Sequence, residues 1–381
     1  MLRKNNKLSK DWSARGLRVV LPVVFAVVLL VTLVGGNVLA KSGSPGHPET
    51  TMTVFATGLD NPRGLKFGPD GYLYVAEGGQ GGTNSTVGQC EQVIPPVGPY
   101  TGGMTARISK ISPTGERTTV VDGLPSSQTS PALGSLVSGV ADVAFLKGKL
   151  YALLAGAGCS HGVPDVPNGV IRVNTDGTWN LIANLSAFEQ ANPVQNPEPG
   201  DFEPDGTWYS MVARGGSLYA VEPNHGELDR ITSKGKISRI IDVSASQGHI
   251  VPTSIDYFRG FFYVGNLTTF PLVEGAAKVL KINTGGKIKA TMDGFTNIVA
   301  AVFDRKGNLY VLESTTGNPL PTPDTGVVVR VSPDGGRDTI ATGLSLPTAM
   351  TFGPDGALYV SNKGFGFPPG SGEVVRIELG D

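Results

Sequence analysis

One short unit recurs six times along the chain, and this repeat limits the possible folds more than any other feature. Each copy contains an apolar strand, a tight glycine turn and a second strand with a tyrosine, as in GLKFGPDGYLYVAE from Gly64. The six tyrosines are Tyr74, Tyr151, Tyr219, Tyr263, Tyr310 and Tyr359. The last four are 44, 47 and 49 residues apart, which is close to the length of one propeller blade. The first two intervals, of 77 and 68 residues, contain insertions.

A second kind of hairpin lies between the repeated units and alternates apolar and polar residues around a glycine turn, as a half-buried strand pair does. It is complete five times, as in GVIRVNTDGTWNLIANL from Gly169. The sixth copy is divided between the two ends, residues 53–59 and 372–378. Pairing these ends would close a ring without an exposed sheet edge. We therefore predict an all-β fold, a six-bladed β-propeller of four-stranded blades over residues 51–381, and the 53 glycines and 28 prolines suit its many turns.

The N-terminal segment has the layout of a secretory signal peptide. Six basic residues precede an apolar run, residues 19–34, that is short for a membrane span. We predict cleavage after Ala40, a linker at 41–50 and an extracellular or periplasmic protein; an uncleaved anchor is the alternative. Removing residues 1–40 changes the net charge from −1 to −6. The mature chain then has no electrostatic footprint for nucleic acid, and we expect no membrane span in it.

The connections between strands predict which face carries the functional site. The turns within both kinds of hairpin are short, whereas the long connections belong to the alternate set, which emerges on the opposite face of a propeller. These long connections are residues 78–106, 123–139, 155–169, 187–208, 265–277, 314–326 and 363–372. Binding sites usually lie on long loops of a rigid scaffold, so we place the site on this face, at the mouth of the central channel. Cys90 and Cys159 lie in loops of neighbouring blades on it, and we predict a disulfide between them.

Two sets of polar residues on this face are candidate ligand-binding residues. The first set lies where the second strand of a unit ends: Glu77, Glu222, Asn266, Glu313 and Asn362. These side chains either form a ring of oxygen ligands for Ca²⁺ or a polyol, or satisfy backbone N–H groups where the strand turns outward. Repetition in five blades favours the structural role. The second set lies where the innermost strands begin: Arg63, Asp142, Thr253, Asn297 and Thr348. Arg63 and Asp142 could clamp an anionic or hydrogen-bonding ligand, or pair with each other.

A candidate metal loop contains three acidic residues followed by a glycine. The acidic residues are Asp201, Glu203 and Asp205. They resemble the start of a calcium loop, but Val212 occupies the position at which an EF-hand has its bidentate acid. A solvated acidic loop is therefore the main expectation, and a Ca²⁺-stabilised loop is the alternative.

The sequence contains no nucleophile elbow, no HExxH motif and no P-loop. The loop histidines His161, His225 and His249 have no metal-ligand spacing, and we expect such single histidines to be solvated. No established catalytic signature therefore assigns an activity to this chain.

Several segments carry a family resemblance. They include FFYVGNLTTFPLVEGAAKVLKI from Phe261, GFTNIVAAVFDRKGNLYVLE from Gly294 and the closing GEVVRIE from Gly372. These segments resemble the ScyD/ScyE family of exported bacterial β-propellers, which are related to NHL-like and SMP-30-like six-bladed propellers, and the resemblance extends over nearly the whole mature chain. It implies the same fold and an exported protein. The family has no agreed catalytic residues, so the resemblance assigns no site.

Two functions from different classes fit these features. The first is a non-catalytic exported binding protein, expected to be a monomer, whose long-loop face holds a small molecule, a glycan or an extracellular protein. The alternative is a metal-dependent lactonase of the gluconolactonase-like type, in which a central divalent metal polarises a carbonyl and activates water. Its ligands would be Glu77, Asn266, Glu313 and Asn362, although an expected aspartate is missing among them. A quinone-dependent sugar dehydrogenase is a weaker third hypothesis. No cofactor is certain from the sequence, and Ca²⁺ is the candidate.

Overall fold

Six antiparallel sheets make up the part of the chain that this computed structural model describes, residues 50–380 apart from 201 and 318. The predicted signal segment 1–40, its cleavage position and residues 41–49 of the linker lie outside the described residues. The strands are β1 (Thr51–Leu59), β2 (Pro62–Phe67), β3 (Leu73–Glu77), β4 (Thr101–Ile111), β5 (Arg117–Gln128), β6 (Val137–Ser138), β7 (Val140–Leu146), β8 (Lys149–Leu154), β9 (Gly169–Val173), β10 (Trp179–Asn184), β11 (Ser210–Arg214), β12 (Ser217–Glu222), β13 (Glu227–Thr232), β14 (Ile237–Asp242), β15 (Pro252–Phe258), β16 (Phe261–Asn266), β17 (Ala277–Asn283), β18 (Ile288–Phe295), β19 (Ile298–Phe303), β20 (Leu309–Glu313), β21 (Gly326–Val331), β22 (Arg337–Leu344), β23 (Ala349–Phe352), β24 (Leu358–Asn362) and β25 (Gly372–Glu378).

Short helical segments lie only in the connections of this described region. They are α1 (Leu185–Ala191), α2 (Ser244–Gln247) and two 3-10 turns, Pro131–Leu133 and Cys159–His161. Among the described residues, no helix has the length and apolar composition that a membrane crossing requires.

Each sheet is one blade of a six-bladed propeller, as the repeat predicts. Blade 1 contains β2 to β5 with the two-residue β6 added at its edge, and blades 2 to 5 take four consecutive strands each, from β7 to β22. Blade 6 has the order β1-β25-β24-β23. The first strands of neighbouring blades contact each other all the way round, β2 with β7, β7 with β11, β11 with β15, β15 with β19, β19 with β23 and β23 with β2. The ring of blades is therefore closed.

The two ends of the described chain close the ring, and this prediction is confirmed. Strand β1 pairs antiparallel with β25, in a register that places Thr53 opposite Arg376 and Leu59 opposite Gly372. The N-terminal strand β1 is thus the outermost strand of blade 6. The other three strands of this blade come from the C-terminal end of the chain. Both edges left by the divided hairpin are satisfied by this pairing.

The recurring tyrosine joins neighbouring blades. In four of the six blades its ring packs edge-on against a phenylalanine on the first strand of the next blade, a favoured geometry for aromatic pairs. These pairs are Tyr74 with Phe145 (5.0 Å between centroids), Tyr263 with Phe303 (4.5 Å), Tyr310 with Phe352 (5.1 Å) and Tyr359 with Phe67 (4.9 Å). In blades 1 and 6 the tyrosine hydroxyl also donates to the aspartate of the preceding turn, from Tyr74 to Asp70 and from Tyr359 to Asp355. The repeat is therefore a packing requirement of the ring.

Short turns lie on one face of the propeller and long connections on the other. The turns between the first and second strands and between the third and fourth strands have two to five residues, such as 147–148 and 112–116. The long connections include 78–100, 155–168, 185–209 and 363–371. Because the strands are antiparallel, all of these connections emerge at the same end. This long-loop face is the one on which the candidate residues were predicted to lie.

Candidate functional site

A disulfide joins two long loops on this face, as predicted. Cys90, from the loop 78–100 of blade 1, is bonded to Cys159 of blade 2, with the Cα atoms 6.3 Å apart. The two cysteines are 69 residues apart in the sequence. Disulfides form and persist in oxidising compartments, so the bond points to such an environment for this chain.

The polar residues at the ends of the second strands are held by backbone groups. Four of them accept a hydrogen bond from a backbone N–H of the chain just before the innermost strand of their own blade, and Asn266 instead donates to a carbonyl there. The pairs are Glu77 with Asp60 N (2.6 Å), Glu222 with Thr207 N (2.8 Å), Glu313 with Thr296 N (2.8 Å), Asn362 with Ser345 N (2.8 Å) and Asn266 with Ile250 O (2.7 Å). These hydrogen bonds are the ones expected if the five side chains satisfy backbone groups at the ends of the strands. Whether any of the five side chains also contacts a ligand stays a prediction.

The residues at the beginnings of the innermost strands mostly join one blade to the next. Thr253 of blade 4 donates to the carbonyl of Ile298 in blade 5 (2.5 Å). Thr348 of blade 6 donates to the carbonyl of Pro62 in blade 1 (2.6 Å). Asn297 donates to the carbonyl of Leu267 (3.2 Å). Their polar atoms therefore hold the ring together near its axis.

Asp142 also joins two blades and does not pair with Arg63 in the described structure. Its carboxylate accepts the backbone N–H of Met211 in blade 3 (2.7 Å) and that of Val143 (2.8 Å). Burial raises the pKa of Asp142 to about 6. A Cβ atom at Gly64 would lie 1.9 Å from Oδ1 of Asp142, so only glycine allows this approach of blade 1.

A cavity of about 170 Å³ lies at the axis, between the first strands of the blades. It is lined by three of the ten predicted ligand-binding residues, Arg63, Asp142 and Thr348, and also by Lys66, Trp208, Tyr209, Asp256 and Phe365. We call it the axis cavity. It begins among the long loops, because Phe365 belongs to the connection 363–371.

The charged groups of the axis cavity are unequally matched. The carboxylate of Asp256 accepts the backbone N–H of Phe303 in blade 5 (2.9 Å), and Asp142 is bound as described above. The guanidinium of Arg63 donates to the carbonyl of Val137 and lies 5.8 Å from the ring centre of Phe365. The charge of Lys66 acts on Asp142 and favours its ionised form, whereas Arg63 forms no ion pair with a described residue. Burial lowers the pKa of Arg63 from its ordinary value.

Two neighbours of Arg63 complete the polar wall of the axis cavity. The indole Nε1 of Trp208 is buried and has no hydrogen-bond partner among the described residues. The hydroxyl of Tyr209 donates to the carbonyl of Thr348 (3.1 Å), and burial raises the pKa of Tyr209 to about 12. The wall thus contains a cation and an unused N–H donor.

A second cavity, of about 350 Å³, lies on the long-loop face beside the disulfide. We call it the acidic pocket; Glu189 of α1 and His225 of the turn after β12 line it together with Cys90 and Cys159. Burial raises the pKa of Glu189 well above its ordinary value, and the negative charges of nearby carboxylates raise it further. This pocket was not predicted from the sequence.

The predicted calcium loop lies near the acidic pocket, but Asp201 is outside the described residues. The carboxylate of Glu203 accepts the hydroxyl of Tyr100 (2.6 Å) and that of Thr207. Oδ2 of Asp205 accepts both the backbone N–H (2.8 Å) and the hydroxyl (2.7 Å) of Ser160. Protein donors thus bind both described carboxylates, and a calcium ion at this loop stays a prediction.

The expectation that the loop histidines are solvated is wrong for two of them. His161 is 0% exposed and His225 is 5% exposed. Nδ1 of His161 lies 2.9 Å from the hydroxyl of Ser127. Both histidines are enclosed because the long loops fold over each other on this face, which a residue-by-residue view of loops does not anticipate.

The fold does not bring the four donors expected for a central metal to the axis cavity. Glu77, Asn266, Glu313 and Asn362 lie on second strands, behind the innermost strands, and none of them lines the axis cavity. Glu77 is bound in addition by Arg107 (2.8 Å). Because none of the four reaches the axis cavity, they do not fit a single ion there.

Comparisons with solved structures find the same architecture. A gluconolactonase from Xanthomonas campestris has 11% sequence identity and a TM-score of 0.55, with 90% of this chain and 98% of the other chain covered. A protein of unknown function from Bacteroides thetaiotaomicron has 12% identity and a TM-score of 0.56, over 86% of this chain and 76% of the other. A glucose dehydrogenase-type protein from Thermus thermophilus has 16% identity and a TM-score of 0.51, over 86% and 100%. At these identities the similarity shows the six-bladed fold alone.

No protein-family model matches the sequence, and a search of curated proteins finds no match. The resemblance to the ScyD/ScyE family therefore stays a prediction.

Proposed function

We propose that this chain is an exported, non-catalytic binding protein of the ScyD/ScyE type that holds a small anionic ligand in the axis cavity. The observation that carries the proposal is the charge inventory of that cavity. Its two carboxylates accept backbone N–H groups of the next blade, and the charge of Lys66 acts on Asp142, whereas Arg63 donates to a backbone carbonyl and forms no ion pair with a described residue. A buried charge without a partner is costly for a fold, so a ligand of opposite charge would be stabilised there.

The donors suit a carboxylate group. Arginine presents a planar fork of N–H donors that matches two carboxylate oxygens. Trp208 adds an indole N–H that has no other partner among the described residues. Phe365 and Tyr209 give the cavity an aromatic wall. We therefore infer a ligand with one carboxylate and an apolar or ring-shaped body.

The size of the axis cavity limits the ligand. Its volume of about 170 Å³ is close to the ~150 Å³ of an engineered protein cavity that binds benzene. A monosaccharide acid or an aromatic acid with one ring fits this range, whereas an oligosaccharide or a protein segment could reach only the rim. A glycan or protein partner is accordingly the weaker version of the proposal.

The test is a thermal-shift screen of the mature protein with carboxylates of this size and their neutral amides, for example benzoate with benzamide and gluconate with gluconamide. We expect at least one carboxylate to raise the melting temperature and its amide to have less effect. Arg63→Gln should abolish this shift. The matched control is Arg305→Ala, which removes an exposed arginine from the turn 304–308 on the opposite face and should keep the shift. The proposal fails if no acid acts, or if Arg63→Gln responds as the wild type does.

A lactonase is the second candidate, because one protein of the same fold is a gluconolactonase. The donor geometry opposes it, since the four expected ligands do not reach the axis. The test is hydrolysis of gluconolactone with added Ca²⁺, Mn²⁺ or Zn²⁺. Metal-dependent turnover that Asn266→Ala or Glu313→Gln abolishes would favour the lactonase and overturn the non-catalytic proposal.

A further inference from the structure

Three side chains converge beside the acidic pocket: Glu189 and His225 line it, and Glu222 lies next to them. Glu189 comes from α1, Glu222 ends β12, and His225 lies in the turn between β12 and β13. One carboxylate oxygen of each glutamate and one ring nitrogen of His225 lie within 4.8 Å of one another. Two connections on the long-loop face, 185–209 and 223–226, thus bring together residues that are far apart in sequence.

His225 is oriented as a metal-bound histidine is. Its Nε2 lies 3.0 Å from the backbone carbonyl of Glu203, which can only accept, so this nitrogen carries the proton. The ring stacks on Phe202, with centroids 5.2 Å apart and an angle of 11° between the planes. The lone pair is therefore on Nδ1, which faces Oε1 of Glu189 at 3.9 Å. Histidine ligands usually donate their second N–H to a carbonyl or carboxylate in this way, which fixes the tautomer.

Glu189 is the strongest single indication of a ligand. The residue is 1% exposed, and neither of its carboxylate oxygens has a hydrogen-bond partner among the described residues. Buried polar atoms are nearly always paired, and an unpaired buried carboxylate costs several kcal/mol.

Glu222 has a structural role and retains capacity for a ligand. Its two oxygens accept the backbone N–H groups of Thr207 (2.8 Å) and His225 (2.5 Å). Each carboxylate oxygen has two lone pairs, so each can accept once more. The two N–H bonds hold the carboxylate in a fixed position, as expected for a preorganised metal ligand.

The surroundings of the group are strongly negative. Glu227 and Asp229 are also buried on β13, beside Glu222. Arg239 donates to Glu227, and its positive charge also acts on Glu189 and Asp229. Four buried carboxylates thus share one arginine, and a divalent cation would compensate much of the remaining negative charge.

We propose that Glu189, Glu222 and His225 bind a divalent transition-metal ion, with Zn²⁺ as the best match. A set of one imidazole and two carboxylates is typical of zinc and manganese sites, whereas Ca²⁺ prefers oxygen ligands alone. Three protein ligands leave a position open toward the acidic pocket, whose rim contains the disulfide. The site lies between blades 2 and 3 and is independent of the ligand proposed for the axis cavity.

The first test measures metal binding by the disulfide-bonded mature protein after dialysis against EDTA. We expect one equivalent of Zn²⁺ to bind, by titration calorimetry and by metal analysis, and to raise the melting temperature. Mn²⁺ should bind more weakly, and Ca²⁺ should compete poorly. Failure to bind Zn²⁺ overturns the proposal, and preferential binding of Ca²⁺ overturns the assignment of the metal.

The second test uses variants that keep the shape of the site. Glu189→Gln should weaken Zn²⁺ binding by about 100-fold or more, because it removes a ligand and its charge. His225→Gln keeps a donor near the carbonyl of Glu203 but lacks Nδ1, and it should weaken binding similarly. The control Glu198→Gln changes an exposed glutamate of the same connection and should bind as the wild type does. The metal-free Glu189→Gln protein should melt no lower than the metal-free wild type, so lost binding is not mistaken for misfolding. Wild-type affinity in both site variants would overturn the proposal.

Discussion

The axis cavity and the acidic pocket differ in how their buried polar groups are matched. At the axis, Asp142, Thr253 and Thr348 each bond to the backbone of a neighbouring blade, and Arg63 is a cation that forms no ion pair with a described residue. In the acidic pocket the unmatched groups are carboxylates, above all Glu189. Groups that the fold needs are satisfied by the fold itself. Groups that remain unsatisfied indicate a ligand, and their sign indicates its charge: an anion at the axis and a cation in the pocket.

The largest expected effect comes from the disulfide, which lines the acidic pocket and not the axis cavity. Replacing Cys90 and Cys159 by serine should lower the free energy of unfolding by about 4 kcal/mol, because the bond closes a long loop in the unfolded chain. Denaturant unfolding of oxidised wild type and of the double variant measures the loss. The Zn²⁺ response should weaken in the variant while the carboxylate response of the axis cavity persists. Equal loss of both responses would mean that the two regions are not independent.

The next effect concerns pH at the axis. Folding raises the pKa of Asp142 from 3.8 to about 6 by burial, so the folded state binds its proton more tightly than the unfolded state does. The contribution of Asp142 to stability is therefore full below pH 3.8 and is lost as the pH rises through about 6. A difference of this size corresponds to about 3 kcal/mol. Asn can still accept the N–H of Met211, so Asp142→Asn should be less sensitive to pH than the wild type.

The measurement for Asp142 is the free energy of unfolding of both proteins at pH 4 and pH 7. Other buried acids affect the two proteins equally, so the comparison between them isolates Asp142. Parallel pH profiles would show that this carboxyl is ionised in the fold without penalty, and would weaken the view that the axis polar groups are fully enclosed.

A smaller effect tests whether the axis threonines serve the ring. Thr348→Val removes the donor to the carbonyl of Pro62, which joins blade 6 to blade 1. Leaving that carbonyl unpaired should cost about 1 to 2 kcal/mol. The control Thr339→Val changes an exposed threonine of β22 and should have almost no effect. Equal stability of the two variants would remove the structural explanation for Thr348 and return it to the candidate ligand-binding residues.

The sequence was sufficient for the fold because the propeller is encoded locally and repeatedly. Each repeated hairpin, such as the one with Tyr359, can be recognised from its own residues, independently of the other blades. The ends of the second strands were also predictable in kind, since Glu313 and Asn362 accept backbone N–H groups just before the innermost strands of their own blades, as Glu77 and Glu222 do in theirs. Cys90 and Cys159 could be paired because both loops emerge on one face.

The candidate sites were less predictable because their residues come from unrelated positions. Glu189 lies in a seven-residue helix inside a long connection, and no periodic pattern distinguishes it from other acidic residues. From the sequence, Trp208 just before an innermost strand would be assigned to the core. Only the structure shows that its indole N–H has no hydrogen-bond partner among the described residues. Contacts between loops of different blades decide such sites, and they depend on the closed ring.

The smallest expected effect sharpens the comparison at Arg63. Arg63→Met keeps the apolar stem and removes a charge that no described carboxylate balances, at the loss of one hydrogen bond to Val137. The two changes oppose each other, so the free energy of unfolding should change by less than about 0.5 kcal/mol without ligand. Binding of the small carboxylate should nevertheless be lost, because its charge partner is gone. If the variant is instead strongly destabilised, Arg63 is a structural residue like Asp142 and Thr348, and only the acidic pocket would remain as a site with unmatched charge.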